Sequence, residues 1–270
     1  MNPIITSVQN PKIKGIKALD KPRQRNAQQR FIIEGVKELT LAVTSGYPLF
    51  TVFFCPEIIE LDQIKKIVSN ESLLFPVAKP VFEKIAYRES TGGVIAIAGQ
   101  RKQTLAQLQL PPNPLVVVVE AIEKPGNLGA MLRTADAAHI DALIVCDPLT
   151  DFYNPNVIRS SVGCVFTVPV AAATTQETIE WLKHNHISIY CTSLQTAIPY
   201  TSVDFTSPSA IVMGTEATGL SEAWTSQSDQ NIIIPMRGQI DSMNVSNAAA
   251  VVIFEALRQR NKQVSEAGAS

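Results

Sequence analysis

The reading of "LVVVVEAIEKPGNLGAMLRTADA", residues 115–137, decides the fold. An unbroken apolar run such as Leu115–Val119 suits a strand buried on both faces, the situation of a parallel sheet. Pro125, Gly126 and Gly129 then shape a turn, and a helix opens near Asn127 with Arg133 and Asp136 further along it. The backbone N–H groups of such a helix start can hold an anion. Neither G-x-G-x-x-G nor G-x-x-x-x-G-K-[ST] is present, which argues against a dinucleotide-dependent oxidoreductase and a P-loop. Taken singly, Asn127 reads equally well as a helix cap, and Arg133 as a surface residue.

Outward from this stretch the pattern repeats. "ALIVCD" (142–147), "VFTVPV" (165–170), "ISIYCTSL" (187–194), "SAIVMG" (209–214) and "NIIIPM" (231–236) are further strand candidates. Together with 115–122 they predict an α/β domain over 115–262 on a mostly parallel sheet. Polar or Gly-rich segments follow several strands, at the edge where open α/β sheets bind ligands. In "IVMGTEATGLSEAW" (211–224), Gly214 permits close approach of a ligand to the backbone, and Ser221 reads as the cap of the next helix. Glu216 in that loop reads as a ligand contact or as an exposed acid. In "PMRGQIDSMNVSNAAAVVIFEALRQ" (235–259), a loop with Arg237, Asp241, Ser242 and Asn244 runs into an Ala/Val-rich helix that ends near residue 260. Asn244 or Ser246 can cap that helix, and Met236 and Met243 are core filler or soft ligand walls.

Residues 1–99 read as a smaller α/β domain. Strands are expected at "FIIEG", "LFTVFFCP", "SLLFPVA" and "GGVIAIAG", and helices at "VKELTLAVTSG", "ELDQIKKIVSN" and "KPVFEKIAY". "QRKQTLAQLQLPPNP" (100–114) is polar, Gln-rich and closed by prolines, hence a linker, and residues 263–270 form a flexible tail.

The chain has 270 residues, 46% of them hydrophobic and 17% charged, which favours packed cores over disorder. Net charge is −1, but residues 1–37 hold eight Lys or Arg against Asp20 and Glu34. That local surplus of six positive charges fits phosphate binding, or simply a solvated basic face. Cys55, Cys146, Cys164 and Cys191 lie far apart in apolar segments, without a C-x-x-C pair or a convincing metal set with His139, His184 and His186. They read as buried, reduced thiols of a cytoplasmic protein. The opening "MNPIITSVQNPKIKG" has no apolar h-region, and no apolar run reaches the ~18–20 residues of a membrane span.

Three motifs carry the chemistry together: N-x-G-x-x-x-R from Asn127, M-G-x-E-x-x-G-L from Met213, and I-P-M-x-G-x-x-x-S-M-N-V-S from Ile234. In this order, each after a strand, they closely resemble the motifs of SpoU-type RNA ribose 2′-O-methyltransferases of the SPOUT superfamily. The N-terminal part, with "ITSVQNPKIKGIKAL" and "RFIIEGVKEL", resembles the ribosomal-protein-like substrate-binding domain of many rRNA members. The resemblance implies a deep trefoil knot in the C-terminal domain, S-adenosyl-L-methionine (AdoMet) as methyl donor, no metal, and a homodimer joined through the knotted domain. Asn127, Arg133, Glu216, Ser242 and Asn244 fall on the catalytic positions. Gly214, Thr215, Ile234, Met236, Met243 and Val245 fall on the cofactor positions. Lys12, Lys14, Arg23, Arg25 and Arg30 are the candidate RNA contacts. A guanidinium stays protonated in proteins, so Arg133 is better read as a phosphate clamp than as a base. The expected substrate is large-subunit rRNA. A tRNA substrate, or a non-enzymatic RNA-binding protein on the same scaffold, are the alternatives.

Overall fold

A computed structural model describes residues 2–87, 92–215 and 218–267, with side chains described as far as 261. The chain forms two compact units: residues 1–102 with 151–167, and residues 103–150 with 168–270.

The first unit opens with α1 (Pro11–Ala18) and α2 (Pro22–Gln28). Asn10 caps α1 by accepting from the Lys12 N–H at 3.0 Å, with Pro11 at the first helical position where a missing N–H costs nothing. Next come β1 (Arg30–Glu34), α3 (Val36–Thr44), β2 (Leu49–Phe54), α4 (Leu61–Lys65), β3 (Leu74–Pro76), α5 (Lys79–Ile85) and β4 (Val94–Gly99). All four expected strands and three expected helices of this part form. The sheet runs β1-β4-β2-β3, with β4 antiparallel to both neighbours and β2 parallel to β3. One face buries Ile13, Ile16, Phe53, Phe82 and Ile95. Elsewhere in the unit Phe31 stacks on Tyr153, ring centroids 4.4 Å apart.

The second unit carries β5 (Leu115–Glu120), α6 (Pro125–Ala137) and β6 (Ala142–Cys146). The chain then crosses to the first unit for residues 151–167, which hold α7 (Pro155–Ser160), and returns. It continues through β7 (Val170–Ala173), α8 (Thr175–His184), β8 (Ser188–Thr192), β9 (Ile198–Pro199), β10 (Ser209–Met213), α9 (Glu222–Thr225), β11 (Gln230–Ile233) and α10 (Val245–Ala267). Among the described residues the sheet has the order β7-β6-β5-β10-β8-β11-β9, and every pairing is parallel. All strand C-termini therefore share one edge. β5, β6 and β10 are buried throughout, as their continuous apolar runs require.

Two expectations are corrected here. "VFTVPV" is a strand only at its last residue: Cys164–Phe166 form a 3-10 turn, and the strand is Val170–Ala173. Val165 and Phe166 are apolar because they serve the first unit's core, where Phe166 stacks on Phe31 at 5.8 Å. The segment expected as a linker is not bare. Gln103 accepts from the Ala172 N–H at 2.8 Å, and Leu105, Leu108 and Leu110 pack on the second unit's core.

α10 buries Val245, Ala249, Val252, Ile253 and Ala256, a stripe with the i, i+4, i+7, i+8, i+11 spacing of an amphipathic helix. It packs against α6 and β10. Further along the helix Arg260 ties it down: its guanidinium donates to the carbonyls of Asn113, Pro114, Phe205 and Ser207 at 2.9–3.0 Å. No helix of the described residues is long and apolar enough to cross a membrane.

Candidate active site

The parallel order places three loops on the C-terminal edge of the large sheet: 121–124 after β5, 214–221 after β10 and 234–244 after β11. Because β5 and β10 are neighbours, the first two loops start side by side. These loops carry the three motifs.

α6 begins at Pro125, two residues earlier than expected, so Asn127 lies in its first turn. Asn244 immediately precedes α10. Its Oδ1 accepts from the Ser246 N–H at 3.0 Å and the Ser246 hydroxyl at 2.6 Å, which makes Asn244 rather than Ser246 the cap. With its acceptor occupied, the Asn244 amide donates to Asn127 Oδ1 at 3.2 Å. Two candidates 117 residues apart in sequence are thus joined directly. Ser242 is exposed and donates to Asp241 at 3.0 Å. Arg133 is exposed on α6 and, among the described residues, forms no ion pair. Six residues at about 100° each place it about 120° round the helix from Asn127, on a different face. Glu216 lies outside the described residues.

Among the cofactor candidates, Gly214 and Thr215 open the second loop. A Cβ on Gly214 would lie 2.3 Å from the carbonyl carbon of Gly219 and 2.5 Å from the Leu220 nitrogen. The backbone that approaches this glycine is therefore the loop's own. Thr215 and Gly219 exchange backbone hydrogen bonds, each at 3.1 Å, and the Thr215 and Thr218 hydroxyls lie 2.8 Å apart. Ile234 and Met236 are half-buried beyond β11, and Val245 is buried at the start of α10. Met243 is 36% exposed and its neighbour Ile240 is 68% exposed, so this polar loop also presents bare apolar surface.

The RNA candidates separate into two kinds. Lys12, Lys14 and Arg23 are exposed, with the Lys12 ammonium 4.3 Å from the Phe75 ring centre. Arg30 is half-buried with its guanidinium 4.0 Å from the Phe50 ring centre. Arg25 is fully buried, which corrects its assignment as an RNA contact. Its guanidinium donates to the carbonyls of Leu19 at 2.9 Å and Asp20 at 2.8 Å, and pairs with Asp151 at 2.6 Å. A cation so engaged holds its own unit together.

Sequence reasoning missed Glu120, the last residue of β5. Its buried carboxylate accepts from Thr175 Oγ1 at 3.1 Å, the Ser221 N–H at 2.8 Å and the Ser221 hydroxyl at 2.6 Å. Ser221 was expected to cap α9, yet its hydroxyl serves Glu120 instead. An acid closing a strand of leucine and valines was the available signal. The next residue, Ala121, sits at φ +46°, in the left-handed region that disfavours side chains. Beneath the edge, burial pushes the thiols of Cys146 and Cys191 up to about 12, which leaves both inert as nucleophiles at neutral pH.

Residues 114–254, just over half of the chain, match the SpoU rRNA methylase family. The chain belongs to that family. Residues 10–96 match the MRM3-like substrate binding domain, so the SpoU portion is preceded by a separate module. A 23S rRNA (guanosine(2553)-2′-O)-methyltransferase of Bacillus subtilis is 29% identical, the match covering 93% of this chain and 97% of the relative. A 23S rRNA (uridine(2479)-2′-O)-methyltransferase of Streptomyces viridochromogenes is 28% identical over 88% of this chain and 85% of its own. The crystal structure of an AdoMet-bound rRNA methyltransferase from Sinorhizobium meliloti superposes with a TM-score of 0.86 at 29% identity, covering 95% of this chain and 97% of that one. These SpoU matches run through both units, and the joined asparagines belong to the SpoU portion.

Proposed function

We propose that this SpoU protein transfers the methyl group of AdoMet to a ribose 2′-hydroxyl in 23S-type large-subunit rRNA. The observation that carries the reading is the Asn127–Asn244 hydrogen bond, which joins the first and third motifs at one sheet edge. Two relatives matched over most of their length, both 23S rRNA 2′-O-methyltransferases, support the substrate. Residues 1–99 are assigned to RNA binding and 115–262 to methyl transfer. A cytoplasmic location and a homodimer joined through the second unit are parts of the same proposal.

The edge fits AdoMet chemically. Ile240 and Met243 offer apolar surface to a purine ring, and Asp241, Ser242 and Asn244 beside them offer polar contacts to a sugar and an amino-acid tail. AdoMet, when bound, supplies an electrophilic methyl group. The chain's own residues must hold the two partners in line and accommodate the charge that develops on the ribose oxygen. Gly214, Thr215, Ile234, Met236, Met243 and Val245 line the cofactor, and Ser242 and Asn244 face the ribose. Asn127 holds the Asn244 amide in orientation. Arg133 clamps a phosphate and stabilises the developing alkoxide, with Glu216 ordering it. Its service in the partner's site of the homodimer is part of the same proposal.

The test is methyl transfer from radiolabelled AdoMet to separate 23S-type rRNA, 16S-type rRNA and tRNA pools. Label in the 23S pool alone is expected. Label only in tRNA would move the substrate assignment, and AdoMet binding with no label in any pool would favour a binding protein on this scaffold.

A further inference from the structure

Glu120 is a buried carboxylate for which motif chemistry has no use, yet its partners are specific. Two of its three donors come from one residue, Ser221, at the exit of the loop that follows β10. The third, Thr175, opens α8. The entry of the same loop is fixed differently: Gly214 brings the backbone of Gly219 and Leu220 into contact, and Thr215 pairs with Gly219. Gly214 and Thr215 are thus held by backbone contact with Gly219 and Leu220, and Ser221 by a charge-assisted anchor. Such an anchor needs an acid at the end of β5, and the left-handed backbone at Ala121 follows directly on it. Local strain of this kind persists where surrounding structure imposes it.

We infer that Glu120 is a positioning residue for AdoMet binding: through Ser221 it holds the backbone of Gly219 and Leu220, and with it Gly214 and Thr215, in place for the cofactor. The inference rests on the assignment of that loop to the cofactor. Glu120 touches neither substrate nor cofactor and acts only through the loop. Glutamine can replace it, because its remaining oxygen accepts from the Ser221 N–H while the Ser221 and Thr175 hydroxyls turn to accept from its amide. Alanine cannot. Loss of a charge-assisted hydrogen-bond pair predicts a cofactor affinity lower by about tenfold or more.

The experiment is calorimetric titration of AdoMet into wild type, Glu120→Gln, Glu120→Ala, Ser221→Ala and the Glu120→Ala/Ser221→Ala double variant, each with its Tm measured. The expected result is about tenfold or greater weakening in Glu120→Ala, a smaller loss in Ser221→Ala, and a double variant no worse than Glu120→Ala alone. Glu120→Gln should restore binding to within about threefold of wild type. A role confined to stability would lower the Tm of Glu120→Ala and leave the affinity of the folded protein unchanged, which overturns the inference. If Glu120→Ala does not fold, Ser221→Ala decides: unchanged affinity there overturns it equally. Wild type that binds no AdoMet overturns the cofactor assignment and this inference with it, whereas binding that ignores Glu120 and Ser221 overturns the inference alone.

Discussion

The first unit and the sheet edge of the second both concentrate polar groups, and they treat them in opposite ways. Around Arg25 the polar groups face one another: the guanidinium meets two carbonyls and Asp151, and its burial puts it out of reach of an outside ligand. At the edge the polar groups are fastened from behind and open in front. Asn127 steadies Asn244, Glu120 steadies Ser221, and Arg133, Ser242 and Met243 remain exposed. Charge alone does not distinguish an arginine that builds the fold from one that serves a ligand. The location of its partners does.

That contrast can be broken experimentally, and the largest effect should come from the edge. Arg133→Ala should fold normally, with stability within about 0.5 kcal/mol of wild type. Its methyl transfer should fall about 10²–10³-fold. Normal turnover in single-turnover assays would remove Arg133 from the reaction. Arg25→Ala should show the reverse, a loss of about 3 kcal/mol in urea unfolding because Asp151 is left without its cation. An Arg25→Ala protein of wild-type stability with weakened RNA binding would restore the original assignment of Arg25 as an RNA contact.

Gly214→Ala sharpens the comparison within the edge. Its Cβ would meet backbone rather than a movable side chain, so the loop must shift, at a cost of about 1–3 kcal/mol, with weakened AdoMet binding in calorimetry. Ala121→Gly should do the opposite to stability. Relief of the left-handed conformation outweighs the extra freedom of the unfolded chain by roughly 0.5 kcal/mol, a small rise in thermal midpoint. Alkaline pH gives a separate test at the thiols. Cys146 and Cys191 hold their protons up to about pH 12, whereas unfolded thiols release theirs near 9. The folded state therefore keeps protons that the unfolded state loses, and stability should fall as pH rises from about 9 towards 12. At pH 8 in the native protein, Cys164, only half-buried, should react with a thiol reagent ahead of both.

Much of the second unit was legible because its strands are buried on both faces and so are written as unbroken apolar runs. β5, β6 and β10 are such strands, buried throughout, while β8 and β11 are only partly buried and fall within the apolar stretches at 187–194 and 231–236. "VFTVPV" misled for the same reason: Val165 and Phe166 are apolar for a core built by another part of the chain, and local pattern cannot name a distant partner. Arg25 was misread likewise, since Asp151 lies 126 residues away. The candidate site residues were read as motifs, and the structure adds the Asn127–Asn244 contact that spacing alone could not supply. Glu120 escaped because the meaning of a strand-ending acid depends on Ser221, 101 residues later.

The central claim is that the methyl group reaches a ribose oxygen, and the most direct test is the chemistry of the product. RNA labelled by the wild-type protein and hydrolysed in alkali should retain its label in an alkali-resistant dinucleotide, because a methylated 2′-oxygen cannot attack the adjacent phosphate. Arg133→Ala should yield no such product. Label released as a base-methylated mononucleotide would contradict the account.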